Sequence, residues 1–259
     1  MNGASAVSLL AGYYVISLRP VGGHGGLRRA AARLGARTFA LSPWRLVQRD
    51  DPATRQTLGQ ALEADIVLFT SPAAVHAAGR LQPLGQSAAG RRSLAVGAST
   101  ARALRAAGVA RVDAPTRMDS EGLLALPVLA DVAGRRIGLV TAPGGRGMIA
   151  STLSGAGARL VRANVYAREP VRPDPARIEA LMALPAPWLL PVSSGEALDV
   201  TLAHLPSHAA TRLRQARVVA ASVRLAERAR ASGFDIVHVA RDARPGSLLA
   251  AGVPALVHE

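Results

Sequence analysis

The sequence predicts an α/β protein of two similar lobes with parallel sheets, built by duplication, joined by a two-stranded hinge and separated by a cleft. Three observations carry this. Short apolar runs closed by turn residues alternate with alanine- and arginine-rich amphipathic stretches, the pattern of β-α units whose sheets are covered on both faces. The chain also repeats itself at an offset of 122 residues. Finally, each half carries an extended run followed by prolines and charges at the same place in the repeat. A chain of 259 residues holds two such lobes of about 130 residues, each long enough to bury a core.

Taken in order, strands are predicted at Tyr14–Leu18, Ile66–Thr70, Leu94–Gly97, Ile137–Thr141, Trp188–Val192, Val218–Ala221 and Ile236–Ala240. Helices are predicted at Gly26–Leu34, Ala73–Leu81, Thr100–Ala107, Glu121–Leu129, Met148–Ser154, Glu196–Leu205 and Arg224–Ala231. In the fourth of these, Leu123, Leu124, Leu126, Val128 and Leu129 spread over more than one face, as a well-buried helix requires. In the repeat, Gly22-Gly23 falls on Gly144-Gly145, Gly35-Ala36-Arg37 on Gly157-Ala158-Arg159, Ile66–Leu68 on Trp188–Leu190, Ser71 on Ser193 and Thr100 on Ser222. The register slips by three only afterwards, where Gly108 meets Gly233. The extended runs Phe39–Val47 and Leu160–Ala167 are the candidate paired crossings between lobes.

Composition removes much ordinary chemistry. There is no cysteine, so disulfides, thiolate nucleophiles, zinc fingers and iron–sulfur clusters are excluded. There is no lysine either: all 31 basic residues are arginine, which rules out Schiff bases, Walker-type phosphate loops and Ser-x-x-Lys pairs. The net charge of +14 suits a polyanionic partner, whether nucleic acid, an anionic membrane surface or a polycarboxylate, and equally suits a coding bias that replaced lysine by arginine. Aromatics are 3% of the chain and the arginines are scattered, which argues against nucleic acid. The longest apolar stretch, residues 7–18, is shorter than the ~20 residues a membrane helix needs. A soluble, cytoplasmic protein is expected.

Small-residue loops follow the strands: Thr70-Ser71-Pro72, Gly97-Ala98-Ser99-Thr100, Gly144-Gly145-Arg146-Gly147, Ser193-Ser194-Gly195 and Ala221-Ser222. In open α/β sheets ligands bind beyond the carboxyl ends of the strands, where bare helix N-termini attract carboxylates and phosphates. Any single loop reads first as a Ser or Thr N-cap, but the set predicts an anion-lined cleft. Gly22-Gly23-His24-Gly25-Gly26 lacks dinucleotide-loop spacing and reads as a tight turn. Gly97-Ala98-Ser99-Thr100-Ala101 has alanine where a nucleophile elbow needs glycine, and no histidine is placed to activate Ser99. His204 and His208 straddle Pro206 at a helix end and loop, so no metal is expected. Glu121 and Glu196 are the only carboxylates near strand ends, too sparse for paired-carboxylate catalysis. Tyr166 serves either interface packing or the cleft.

Several stretches, in order, resemble the uroporphyrinogen-III synthase family over about residues 14–249. They are Phe69-Thr70-Ser71-Pro72-Ala73-Ala74-Val75, Ala95-Val96-Gly97 with Thr100-Ala101, and Ser120-Glu121-Gly122-Leu123-Leu124. Gly144-Gly145-Arg146, Gly157-Ala158, Val165-Tyr166-Ala167-Arg168 and Ser193-Ser194-Gly195-Glu196-Ala197-Leu198 continue the series. The family's opening Thr-Arg-Pro reads Leu18-Arg19-Pro20, and its asparagine after Thr-Ser-Pro is Ala73.

The resemblance implies one discontinuous lobe (residues 1–41 with 170–259), a second lobe (49–163) and hinge strands at 42–48 and 164–169. It implies cyclisation of hydroxymethylbilane, a substrate with eight carboxylates, through a spiro intermediate that inverts the last pyrrole ring and loses water. By the same resemblance Tyr166 and Thr100 are the catalytic candidates. Arg19, Thr70, Ser71, Gly97, Ser99, Ser120, Gly144, Gly145, Arg146, Ser193, Ser194, Gly195 and Ser222 are the candidate substrate contacts. No cofactor, metal, membrane or nucleic acid is implied, and a monomer is expected. The rival reading is a non-catalytic two-lobed module that holds a small anion.

Overall fold

The computed structural model describes residues 9–87, 92–117, 120–144 and 147–253. The first repeat runs β1 (Tyr14–Ser17), α1 (Gly25–Arg33), β2 (Arg37–Ala40), β3 (Trp44–Gln48), α2 (Pro52–Leu62), β4 (Ile66–Phe69), α3 (Pro72–Leu81), α4 (Leu84–Ser87), β5 (Arg92–Ala95), α5 (Ala98–Ala106) and β6 (Val112–Asp113). A short α6 (Ser120–Leu124) and a 3-10 turn (Pro127–Leu129) follow. The second repeat runs β7 (Arg136–Thr141), α7 (Met148–Gly155), β8 (Arg159–Asn164), β9 (Tyr166–Pro170), α8 (Pro175–Met182), β10 (Trp188–Val192), α9 (Gly195–His204), α10 (Ser207–Arg214), β11 (Arg217–Ala220), α11 (Val223–Ala231), β12 (Val237–Val239) and α12 (Pro245–Ala250).

The strands form two five-stranded parallel sheets, ordered β12-β11-β10-β1-β2 and β6-β5-β4-β7-β8, and a separate pair, β3-β9. Each sheet takes two strands from one repeat and three from the other, and the repeat offset maps one order onto the other. β1 therefore lies between β10 and β2, with Tyr14 in register with Trp188 on one side and Arg37 on the other. By internal contacts the chain divides into two units, Met1–Arg45 with Glu169–Glu259, and Leu46–Arg168.

Both units are three-layered because their strands are apolar on both sides. In Leu46–Arg168, Val67 and Phe69 of β4 face one buried cluster with Leu58, Val75 and Leu104. Ile66 and Leu68 of the same strand face another with Leu123, Leu129 and Leu153. Such two-faced burial is what a continuous Ile-Val-Leu-Phe run dictates. In the other unit Ile16 and Val15 divide between two clusters in the same way. Glycines fix the turns at equivalent places: Gly12, Gly22 and Gly35 have φ of +80°, +79° and +79°, and Gly134, Gly144 and Gly157 have +71°, +82° and +82°. Side chains rarely adopt that region, so the offset of 122 is written into backbone conformation.

Four expectations need correction. The extended runs Phe39–Val47 and Leu160–Ala167 are each two strands, β2 with β3 and β8 with β9, divided between a five-stranded sheet and the β3-β9 pair. The helix predicted over 121–129 stops at Leu124, because Leu126 precedes Pro127 and is extended (φ −66°, ψ 134°). His208 lies in helix α10 rather than a loop, since Pro206 starts a new helix as well as ending the old one.

The repeat register also slips earlier than expected. Ser194, not Ser193, caps α9 as Ser71 caps α3, and Ser222 caps α11 at the place Gly97 occupies before α5. Ser222 thus corresponds to Gly97, not Thr100, and the slip begins with one residue before α3 and α9 and is completed before β5 and β11, where α10 stands in place of α4.

Candidate active site

The Leu46–Arg168 unit gathers several of the predicted residues at the carboxyl ends of β4, β7 and β8. Thr70, Ser71, Ser120, Gly144 and Tyr166 line one recess of about 180 Å³, with Thr141, Arg162 and Arg168 beside them. The Tyr166 ring is buried at 4% exposure, and its hydroxyl lies 3.1 Å from Ser71 Oγ. Ser71 Oγ also accepts the Ala74 N–H that caps α3, at 3.1 Å. Either hydroxyl can donate across that contact, and with Ser71 as the donor the Tyr166 proton is free to point into the recess. Thr70 Oγ1 and Thr141 Oγ1 are 2.8 Å apart and close the floor.

The recess is built for negative charge. No carboxylate is among its described lining residues. Gly147, at φ +65°, precedes α7 and gives it no side-chain cap among the described residues, and Met148, Ile149 and Ala150 of the first turn line the recess, where their N–H groups can serve an anion. Arg162 Nη2 donates to Ala142 O at 3.1 Å and its Nε to Asn164 Oδ1 at 3.2 Å. These neutral partners hold the guanidinium in place without cancelling its charge.

The other unit carries its own strand-end loops. His24 is buried between two hydroxyls, Nδ1 2.8 Å from Ser17 Oγ and Nε2 2.9 Å from Ser42 Oγ. Burial first, then the charges of Arg28, Arg177 and Arg19, hold its pKa below the ordinary imidazole value. Burial likewise lowers Arg19 from its usual value, and among the described residues no carboxylate pairs with it. Ser194 Oγ accepts from Ala197 N and Ser222 Oγ from Leu225 N, so both hydroxyls serve as helix caps. A Cβ on Gly195 would come within 2.7 Å of Arg228 Cδ, so a side chain there would require the half-exposed arginine to shift.

Thr100 is buried at 1% exposure in α5 and does not line the recess that holds Tyr166. Gly97 is its buried neighbour, while Ser99 is exposed and has no histidine partner among the described residues. Gly145 and Arg146 lie outside the described residues. Sequence reasoning missed Thr141, Arg162 and Arg168. For the two arginines the signal was the polar series Arg162, Asn164, Tyr166, Arg168, alternating with apolar or small residues as a strand face does. Among the described residues no group of three histidines and carboxylates could hold a metal, and no helix is long and apolar enough to cross a membrane.

Known proteins resemble the chain in sequence and in fold. A model of the family described as uroporphyrinogen-III synthase HemD matches residues 26–250. The uroporphyrinogen-III synthase of Salmonella typhimurium is 31% identical over 207 residues, 78% of this chain and 84% of that protein. That of Escherichia coli is 32% identical over 159 residues, and the match spans 61% of this chain and 65% of the relative's length. The fold matches a mutant uroporphyrinogen III synthase from Thermus thermophilus, with TM-score 0.62 and 20% identity over 92% of this chain and 96% of that one. It also matches uroporphyrinogen-III synthetase from Helicobacter pylori, with TM-score 0.61 and 11% identity over 93% and 97%. With its recess, its interlaced sheets and a family match from residue 26 to residue 250, the chain belongs to the uroporphyrinogen-III synthase family.

Proposed function

We propose that this chain converts hydroxymethylbilane to uroporphyrinogen III, acting as a cytoplasmic monomer without metal or cofactor. The observation that carries the reading is the Tyr166 hydroxyl, held by Ser71 in a carboxylate-free recess with Arg162 and a bare helix N-terminus. The substrate's electron-rich pyrrole expels its hydroxyl readily, so the reaction needs little acid and much orientation. Tyr166 gives its proton to the departing hydroxyl, which leaves as water, the elimination of a lyase. The substituted carbon of the last ring then closes on the exposed methylene, and the spiro intermediate reopens and recloses with that ring inverted. The proton returns to Tyr166 when the closing carbon restores its pyrrole.

Holding the flexible chain in one productive fold contributes several kcal/mol. Arg162, Arg168 and the first turn of α7 take substrate carboxylates, as do Arg19 and the Ser193-Ser194-Gly195 and Ser222 loops of the other unit. Thr70, Ser120, Gly144 and the Gly97–Ser99 loop complete the contacts, with Thr100 holding α5 and that loop from within. The test is product analysis with fresh hydroxymethylbilane, since the spontaneous reaction gives only isomer I. Isomer III from metal-free protein is expected. Isomer I alone from folded protein in excess overturns the reading in favour of the anion-holding module.

A further inference from the structure

A second recess, of about 670 Å³, lies on the open edge of the same sheet, away from Tyr166. Its floor is β6, the edge strand. One wall is the α5 stripe Ala98, Ala101, Arg102, Arg105, whose spacing is that of a single helix face. The other wall is Leu126, Pro127 and Val128 at the 3-10 turn. That volume suits a small organic ligand.

Its charge is unbalanced. Among its described lining residues Arg92, Arg102 and Arg105 face one carboxylate, Asp113, which lies 3.6 Å from Arg92. Arg105 donates to Val112 O at 3.2 Å, while Arg102 has no hydrogen-bond or ion partner among the described residues.

The duplicated unit shows which of these groups are architectural. Arg230 of α11 donates to Val237 O at 3.2 Å, the same bond one repeat later, and Arg217 stands where Arg92 does. Position 102 differs, because its counterpart is Glu227. Arg102 is therefore not needed to build this corner of the fold. A strand-adding peptide is a poor occupant, because β6 has two residues and its Val112 carbonyl is already engaged.

We propose that this recess binds a small organic anion with an apolar body and two acidic groups, Arg102 and Arg105 taking the acids and Leu126, Pro127 and Val128 the body. The probe is the binaphthyl disulfonate bis-ANS, titrated calorimetrically into the full chain, with melting curves to verify folding. One-to-one binding is expected. Arg102→Glu should weaken it at least about tenfold, as should Val128→Trp, which fills the recess without touching charge. Arg224→Glu, the same charge change on exposed α11, should leave affinity within about twofold, and turnover of hydroxymethylbilane by Arg102→Glu should match wild type.

Equal weakening by Arg102→Glu and Arg224→Glu would reduce the effect to net charge and overturn the site. Weakening by Arg162→Gln with no effect of Val128→Trp would place the probe in the Tyr166 recess and overturn it as well. Should Arg102→Glu fail to fold, Val128→Trp decides alone.

Discussion

The Tyr166 hydroxyl and Ser71 Oγ meet at 3.1 Å although 95 residues separate them in sequence. The contact exists because Tyr166, the first residue of β9, follows β8 directly and lies beside the loop that starts α3. It ties the one phenol of the recess to a helix cap, so its geometry is set by main chain. Tyr166→Phe should therefore lower kcat by roughly 10- to 100-fold, the range of modest acid catalysis, with little change in KM. Wild-type kcat in a folded variant would remove Tyr166 from the reaction, and complete inactivity would show that acid catalysis outweighs orientation.

Ser71→Ala should act twice. Losing the cap should cost about 0.5–2 kcal/mol of stability, and losing the bond to the phenol should reduce kcat. Ser194→Ala removes an equivalent cap in the other unit, so its stability loss should be similar and its kcat loss smaller. Thermal melts and single-turnover kinetics on both variants check this. Identical kcat losses would mean that Ser71 acts through folding alone.

His24 makes stability pH-dependent. Its folded pKa lies below the ordinary imidazole value of 6.5, so the unfolded chain takes up the proton first. The contribution is whole above about pH 6.5 and is lost as pH falls through that range toward the lower folded pKa. His24→Gln should be less stable than wild type at pH 8, and the gap should narrow toward pH 5. A gap independent of pH would show that His24 does not titrate differently on folding.

Two glycines should respond in opposite directions. A Cβ on Gly138 of β7 would fall 2.0 Å from Ala61 O of α2, so Gly138→Ala should cost about 1–3 kcal/mol or more, or prevent folding. Nothing lies within 4 Å of a Cβ on Gly59, inside α2, so Gly59→Ala should stabilise by about 0.5–1 kcal/mol. Urea unfolding reads both.

Fragments test the interlacing. Residues 46–168 hold a complete sheet and should melt cooperatively, whereas residues 170–259 lack β1 and β2, on which β10 depends. A cooperative melt of 170–259 alone would contradict that dependence.

The alternation of strands and helices was legible because fully buried parallel strands such as Ile66–Phe69 and Trp188–Val192 leave continuous apolar runs. What escaped was pairing. Phe39–Val47 reads as one extended stretch, and only the partners of β2 and β3 reveal two strands. Helices α2 and α8 carried a legible start, Asp51-Pro52 and Asp174-Pro175, each an N-cap followed by proline, that prolines and charge made resemble hinge loops. The site was half legible. Thr70, Ser71 and Tyr166 stood out as strand-end residues, but Arg162 joins them only because β8 pairs in parallel with β7 after the α7 crossover, a contact that local pattern does not encode.

The interlaced order of strands also fixes a schedule on the ribosome. Leu46–Arg168 is complete once Arg168 has emerged, and it is free to fold while synthesis continues. β1 and β2 emerge earlier, yet Tyr14 and Val15 have no partner on one side until Trp188 and Leu189 arrive. At about 5–20 residues per second, that leaves Val15, Ile16 and Phe39 waiting on the order of ten seconds while the later-made unit finishes first. The oldest part of the nascent chain is thus among the last to be buried, and it is there that a chaperone would find its apolar surface.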